Sequence, residues 1–272
     1  MEHKEQKVHF DNTVLPDIIE LKNICQTYDG NNFVIDGLNL LIEDKPGQGE
    51  FVVILGGSGC GKSTVLRYIC GLQKPTSGEV LIYGKQRSDT DHIAMVFQQY
   101  SSFYWYTVLQ NVMIPLSIKG VPQKEAKEKA MEMIVKVGLE GHENKYAQYP
   151  TLSGGQLQKV AIARSLISNP KILLMDEPFG ALDIHTRHEM QILLANIWEE
   201  LDSTIMFVTH DIREAVFLGD DIWVMDSNPG QIEGMFHVNL PLIRDRETTR
   251  TSEFIGLVQQ IEDHMFELKR RK

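Results

Sequence analysis

Long apolar runs are missing from this sequence. No stretch of about 18 apolar residues occurs, so no part of it is expected to cross a bilayer as a helix. Met1 to Asp11 is polar and carries no apolar signal core. Cysteine is scarce: there are three, Cys25, Cys60 and Cys70, and none forms a Cys-x-x-Cys pair. That argues against a disulfide framework or a thiolate metal site and for a reducing compartment. A basic surplus is also lacking. The formal net charge is −10, whereas nucleic-acid binding needs a broad cationic surface, so no nucleic-acid partner is expected. Internal repeats and low-complexity segments are absent. An anionic ligand would need a positive field built into its own site, and a membrane role would have to come through a partner.

What is present is an ordinary globular composition, 42% hydrophobic and 24% charged, in a chain long enough for one well-cored domain. Met1 to Pro16 reads as a polar arm. Short apolar, β-branched runs then predict strands at 18–21, 33–42, 51–55, 80–83 and 93–97, and again at 172–175 and 204–208. Helical spacing appears at 123–137, with Ala126, Ala130, Ile134 and Val137 on one face, and at 157–167 and 186–201. Alternating buried strands and helices predict an α/β fold with a mainly parallel sheet. The helical stretch of about 100–165 interrupts it and reads as an inserted subdomain.

Gly56-Gly57-Ser58-Gly59-Cys60-Gly61-Lys62-Ser63 fits G-x-x-x-x-G-K-[ST]. It follows a predicted strand and opens a predicted helix, the context this phosphate-binding motif needs. Glycines let backbone N–H groups turn inward around phosphates, and the helix N-terminus adds positive potential. Lys62 is placed for the β- and γ-phosphates of a nucleotide, and the Ser63 hydroxyl for Mg²⁺. Thr64, next on the helix, is grouped with the loop. Cys60 lies beside Lys62 and a helix N-terminus, features that favour a reactive thiolate. The alternative there is a buried, inert thiol.

The strand 172–175 ends in Asp176 and Glu177. Ligands of open α/β sheets bind beyond the carboxyl ends of strands, so Asp176 is placed to hold Mg²⁺ and Glu177 to act as general base on a water. The bland alternative is a solvated acidic turn before Pro178. His210 follows the strand 204–208 and could hydrogen-bond a γ-phosphate; a surface histidine is the competing reading.

Leu152-Ser153-Gly154-Gly155-Gln156 narrows the field. A phosphate loop, this pentapeptide, an Asp-Glu strand end and a following histidine, in this order, resemble an ABC (ATP-binding cassette) ATPase over roughly Asp17 to Leu242. The resemblance implies a phosphate-loop NTPase core of RecA-like type, an antiparallel β subdomain, and ATP and Mg²⁺ as ligands. It also implies a head-to-tail pair of copies with ATP sandwiched between them. Ser153, Gly154, Gly155 and Gln156 of one copy would face the γ-phosphate held by the other; Ser153 is equally a plain helix cap. Tyr28 matches the aromatic residue that stacks on adenine, and Gln98 the glutamine that senses Mg²⁺ and the attacking water. Ala181-Leu182-Asp183 matches a loop at the dimer interface, with Asp183 a helix N-cap as well.

Asn228 to Ile232, Leu240 to Arg246 and Trp105-Tyr106-Thr107-Val108 are similar to ATPases serving nitrate, sulfonate and taurine importers. Those systems imply a separate membrane permease, an extracytoplasmic solute-binding protein, and a peripheral position on the cytoplasmic face of the membrane. The sequence departs from them at Gly57, where proline is common. It departs again at Ser102-Phe103-Tyr104, which replaces an aliphatic-proline approach to the tryptophan. A soluble ABC ATPase is the competing function. Residues 243–272 are expected to form an amphipathic helix, with Phe254, Leu257, Val258, Ile261, Met265 and Leu268 on one face, followed by a basic tail.

Overall fold

Phe51–Gly56 (β3) is apolar at five of its six positions and every residue is buried, so it needs cover on both faces. Period-two alternation sorts its side chains. Phe51, Val53 and Leu55 enter one core, and Val52 and Ile54 the other. The computed structural model describes residues 17–43, 49–89, 91–227, 229–241 and 243–270; the polar arm 1–16 and the last two residues of the basic tail lie outside these.

Two sheets carry the fold. Ile19–Thr27 (β1), Phe33–Ile42 (β2), Ser77–Ile82 (β4) and Lys85–Gln86 (β5) form an antiparallel sheet in the order β2-β1-β4-β5. Ala94–Val96 (β6), Ile172–Asp176 (β7), Thr204–Thr209 (β8), Asp221–Asp226 (β9) and Gln231–His237 (β10) join β3 in a second sheet, ordered β10-β9-β3-β8-β7-β6. Its pairs are parallel except the β10 edge. The α/β class and the antiparallel sheet are as expected; β9 and β10 were not read from the sequence.

Between the sheets lies Lys62–Cys70 (α1), whose Val65, Leu66, Tyr68 and Ile69 meet Ile19, Leu21 and Ile24 of β1 in a shared core. The opposite face of the six-stranded sheet is covered by Gly154–Leu166 (α4), Ile184–Glu199 (α5), Ile212–Leu218 (α6) and Ser252–Arg270 (α7). Val108–Ile118 (α2) and Gln123–Lys136 (α3) pack with α4. Phe254, Val258, Ile261 and Leu268 turn inward from α7, while Ile255 and Phe266 stay exposed.

Two helix starts differ from expectation. Helix α4 begins at Gly154, not at 157, because Ser153 caps it and Gln156 closes a reciprocal capping box that outweighs the low helix propensity of two glycines. Helix α5 begins at Ile184, not at 186, because the Asp183 carboxylate accepts from the amides of His185 and Thr186.

Candidate nucleotide site

The carboxyl ends of β3, β7 and β8 meet at one crevice. The chain leaves β3 through the glycine loop and enters α1 at Gly61, whose φ of 106° only glycine adopts readily. No side chain caps α1, so its first-turn amides are free to face an anion. Lys62 is 4% exposed and folds back, donating to the carbonyls of Gly56 and Gly57, each at 2.9 Å. The Ser63 hydroxyl donates to Asp176 Oδ1 at 2.8 Å.

Strand β7 ends on Asp176, and Glu177 turns the chain with a left-handed φ of 43°. A non-glycine residue there is strained. The turn is held by the Glu177 amide donating to Val208 of β8 and by the Gly180 amide donating to the Glu177 carbonyl. Its carboxylate then reaches two partners in the site: Oε1 lies 3.5 Å from Lys62 Nζ, and Oε2 lies 2.9 Å from His210 Nδ1. Burial pushes the Asp176 carboxyl up, and the Ser63 hydroxyl counters it. A buried carboxylate beside a hydroxyl is an oxygen-donor pair suited to a hard cation. Gln98, exposed just after β6, flanks the same turn: Cβ of an alanine at Gly180 would lie 3.8 Å from both Gln98 Nε2 and Glu177 Oε2.

Sequence reading missed the groups behind His210. Thr209 donates to buried Glu214, whose other oxygen accepts from Gln191 Nε2 at 3.0 Å. Thr209 Oγ1 in turn accepts from the Asp211 amide at 3.0 Å. Burial pushes the Glu214 carboxyl up. A glutamate in a helix of apolar residues was the available signal.

The Cys60 expectation is corrected. Its thiol is 2% exposed and burial pushes its pKa up; Lys62 acts the other way and is outweighed. The buried, inert thiol is the reading that fits.

The remaining residues lie apart from this crevice. Tyr28, at the end of β1, is 69% exposed and its hydroxyl accepts from Gln73. The Ser153–Gln156 turn opens α4, and its hydrogen bonds run within itself and to His142. Its glycines are also demanded from inside the chain: a Cβ on Gly154 would meet the Tyr100 hydroxyl, and one on Gly155 would sit 2.6 Å from Thr186 Cγ2. Asp183 is exposed, and Thr186 holds its carboxyl below the usual range.

Phe103, Tyr104, Trp105 and Tyr106 are all exposed, yet their rings pack on one another, with Tyr104 and Trp105 perpendicular at 4.6 Å between centroids. Fully buried Asn111 fixes this segment. It accepts from the Phe103 amide and donates to the carbonyls of Phe103, Tyr106 and Thr107. Arg164 adds bonds to Ser101 and lies over the Phe103 ring.

A glycine loop entering a helix from a central parallel strand, with a hydroxyl, a buried aspartate and a strained glutamate facing it, defines a phosphate-loop nucleoside triphosphatase. Residues 42–180 match the family model described as ABC transporter. The nitrate import ATP-binding protein of Synechocystis is 43% identical, over 88% of this chain and 87% of its own length. The aliphatic sulfonates import ATP-binding protein of Bacillus cereus is 41% identical, over 84% and 87%. A solved ATP-binding cassette, dimeric in a post-hydrolysis state with ADP and Pi, superposes with a TM-score of 0.70 at 37% identity, covering 81% of this chain and 99% of that one. The chain belongs to the ABC transporter family as an ATP-binding, ATP-hydrolysing subunit.

Proposed function

We propose that this ATPase powers import of a small solute, of the nitrate, sulfonate or taurine class, through a separate integral-membrane permease. It would work as a head-to-tail pair on the cytoplasmic face of the membrane, with an extracytoplasmic protein delivering the solute. No helix among the described residues is long and apolar enough to cross a membrane. The convergence of Lys62, Ser63, Asp176, Glu177 and His210 carries the chemical part of this reading. The names of the nitrate and sulfonate relatives support the solute class.

In this scheme Lys62 exchanges the two loop carbonyls for the β- and γ-phosphates of ATP. Ser63 and Asp176, with Gln98, would hold Mg²⁺, which would supply neutralisation of phosphate charge. Glu177 takes a proton from water as the water oxygen attacks the γ-phosphorus and the bond to the bridging oxygen breaks, releasing ADP. His210, held by Glu177, hydrogen-bonds the γ-phosphate. Tyr28 stacks on adenine. Ser153 to Gln156 and Asp183 complete the site of the second copy. The helices between about 100 and 165 act as a subdomain that carries the Ser153–Gln156 turn and the aromatic segment, which docks on the permease.

Affinity purification of the tagged subunit from detergent-solubilised membranes tests the proposal. A multi-spanning partner that couples ATP turnover to uptake of one of these solutes is the expected result. A soluble partner alone, with no membrane protein retained, would favour the soluble ABC ATPase instead.

A further inference from the structure

The Ser153–Gln156 turn has a side-chain partner that the capping box does not need. The Ser153 N–H can only donate, so the Gln156 atom 2.9 Å away is its carbonyl oxygen, and Gln156 Nε2 points outward as a donor. Nε2 lies 3.0 Å from His142 Nε2. The other ring nitrogen, His142 Nδ1, lies 3.2 Å from the Glu140 carbonyl, which can only accept. One tautomer satisfies both contacts: Nδ1 carries the proton and Nε2 accepts from Gln156. Both ends of the Gln156 amide are then committed, one to the helix cap and one to the imidazole.

His142 sits in the loop after α3, and that loop is bonded to the aromatic segment and the start of α2. The Glu143 carbonyl accepts from the Leu109 amide at 3.0 Å, and the Lys145 carbonyl from the Val108 amide at 2.9 Å. The Ala147 amide donates to the Tyr106 carbonyl at 3.0 Å. The loop backbone, held by these bonds, therefore connects Tyr106 through one imidazole to Gln156 and Ser153.

We propose that His142 is the positioning residue of the Ser153–Gln156 turn, and that it ties the turn to the aromatic segment Phe103–Tyr106. The imidazole acts by fixing the Gln156 amide, and through it the cap that orients Ser153. Removing the acceptor lets Gln156 swing and loosens the Ser153 amide. The consequence for pairing rests on the proposed reading that this turn faces the ATP of a second copy.

Three substitutions in the full chain carrying Glu177→Gln test the assignment. His142→Leu removes the acceptor, His142→Gln offers an amide oxygen of similar reach, and His142→Lys offers only donors. Two readouts are needed: amide hydrogen exchange at Ser153 and Gln156, and ATP-dependent pairing by sedimentation. His142→Leu and His142→Lys are expected to speed Ser153 exchange and to weaken pairing about 10-fold, since one net hydrogen bond is worth roughly 2- to 12-fold and a pair contains two. His142→Gln should restore both to within about 2-fold, and ATP affinity of the single chain should not move. Parent-like exchange in His142→Leu, or equal behaviour of the glutamine and lysine variants, would overturn the proposal even if one of them is less stable. Ser153→Arg separates the two claims. If it leaves pairing intact, the reading of the turn as a facing surface fails, while the exchange result still decides the role of His142.

Discussion

Arg244 should be one of the most costly surface-derived side chains to remove. Only 3% of it is exposed. Its Nη1 donates to the carbonyls of Phe217 and Gly219 at 2.8 and 2.9 Å, its Nη2 to Asp220 Oδ1 at 3.3 Å, and its Nε to the Pro241 carbonyl at 3.3 Å. The first two acceptors close the C-terminal end of α6, where helix carbonyls otherwise lack partners. Asp220 uses its other oxygen to accept from the Phe51 amide, at the start of the strand that feeds the phosphate loop. Arg244→Leu strands these carbonyls and removes a cation from beside the Asp220 carboxylate. Breaking a buried pair costs about 3–5 kcal/mol, and each stranded buried acceptor about 1–3 kcal/mol, overlapping amounts that together suggest about 4 kcal/mol. With an unfolding entropy of about 2.1 cal/mol/K per residue, the 272 residues give about 0.57 kcal/mol/K, so Tm should fall by about 7 °C. Arg244→Lys should recover less than half of this, because one ammonium cannot span the fork. Scanning calorimetry of the isolated subunit without nucleotide is the assay. A fall of less than about 2 °C for Arg244→Leu would show that these acceptors find other partners, and would refute the reasoning.

Cys60 should resist maleimide in the folded subunit with or without ATP and react only on unfolding, as labelling followed by mass spectrometry would show; rapid native labelling would contradict its burial. Glu214 should impose a pH dependence on stability. Its folded pKa is raised, so the folded state holds a proton that the unfolded chain has released; its contribution is full below the ordinary glutamate pKa and is lost as pH rises through the folded value. Glu214→Gln should therefore flatten thermal stability across that window, and an unchanged pH profile would argue against it. Trp105→Ala should leave the melting temperature of the isolated subunit within about 2 °C, as expected for an exposed side chain, yet reduce recovery of the membrane partner. Loss of stability with normal recovery would make the aromatic segment a local packing device only.

The phosphate loop and the acidic strand end were legible because their chemistry is local. Glycines at fixed spacing, a lysine and a serine open one helix, and two carboxylates end one buried strand. The core strands were legible because β3, β7 and β8 are continuous apolar runs. Helix α2 was not, because Pro115 stands inside it and its apolar residues lie on all sides; its one clear mark was the Thr107–Gln110 capping box. Cys60 was misjudged because neighbouring charge can be read from sequence while burial cannot. The Thr209–Glu214–Gln191 set and the His142–Gln156 contact join residues from different elements, so no spacing rule announces them. Asn111 from nearby and Arg164 from a distant helix hold the aromatic turn from behind, and the second contact is long-range.

The central claim is that Glu177, strained at the end of β7 and held between Lys62 and His210, performs the proton transfer of ATP hydrolysis. Glu177→Gln keeps the shape and loses the base. Steady-state phosphate release, measured beside equilibrium ATP binding, tests the claim most directly. Turnover should fall by about 10²- to 10⁴-fold, the range for loss of a general base, while ATP affinity is retained and ATP-bound pairs accumulate. Turnover within a few-fold of the parent, at unchanged ATP affinity, would contradict the account.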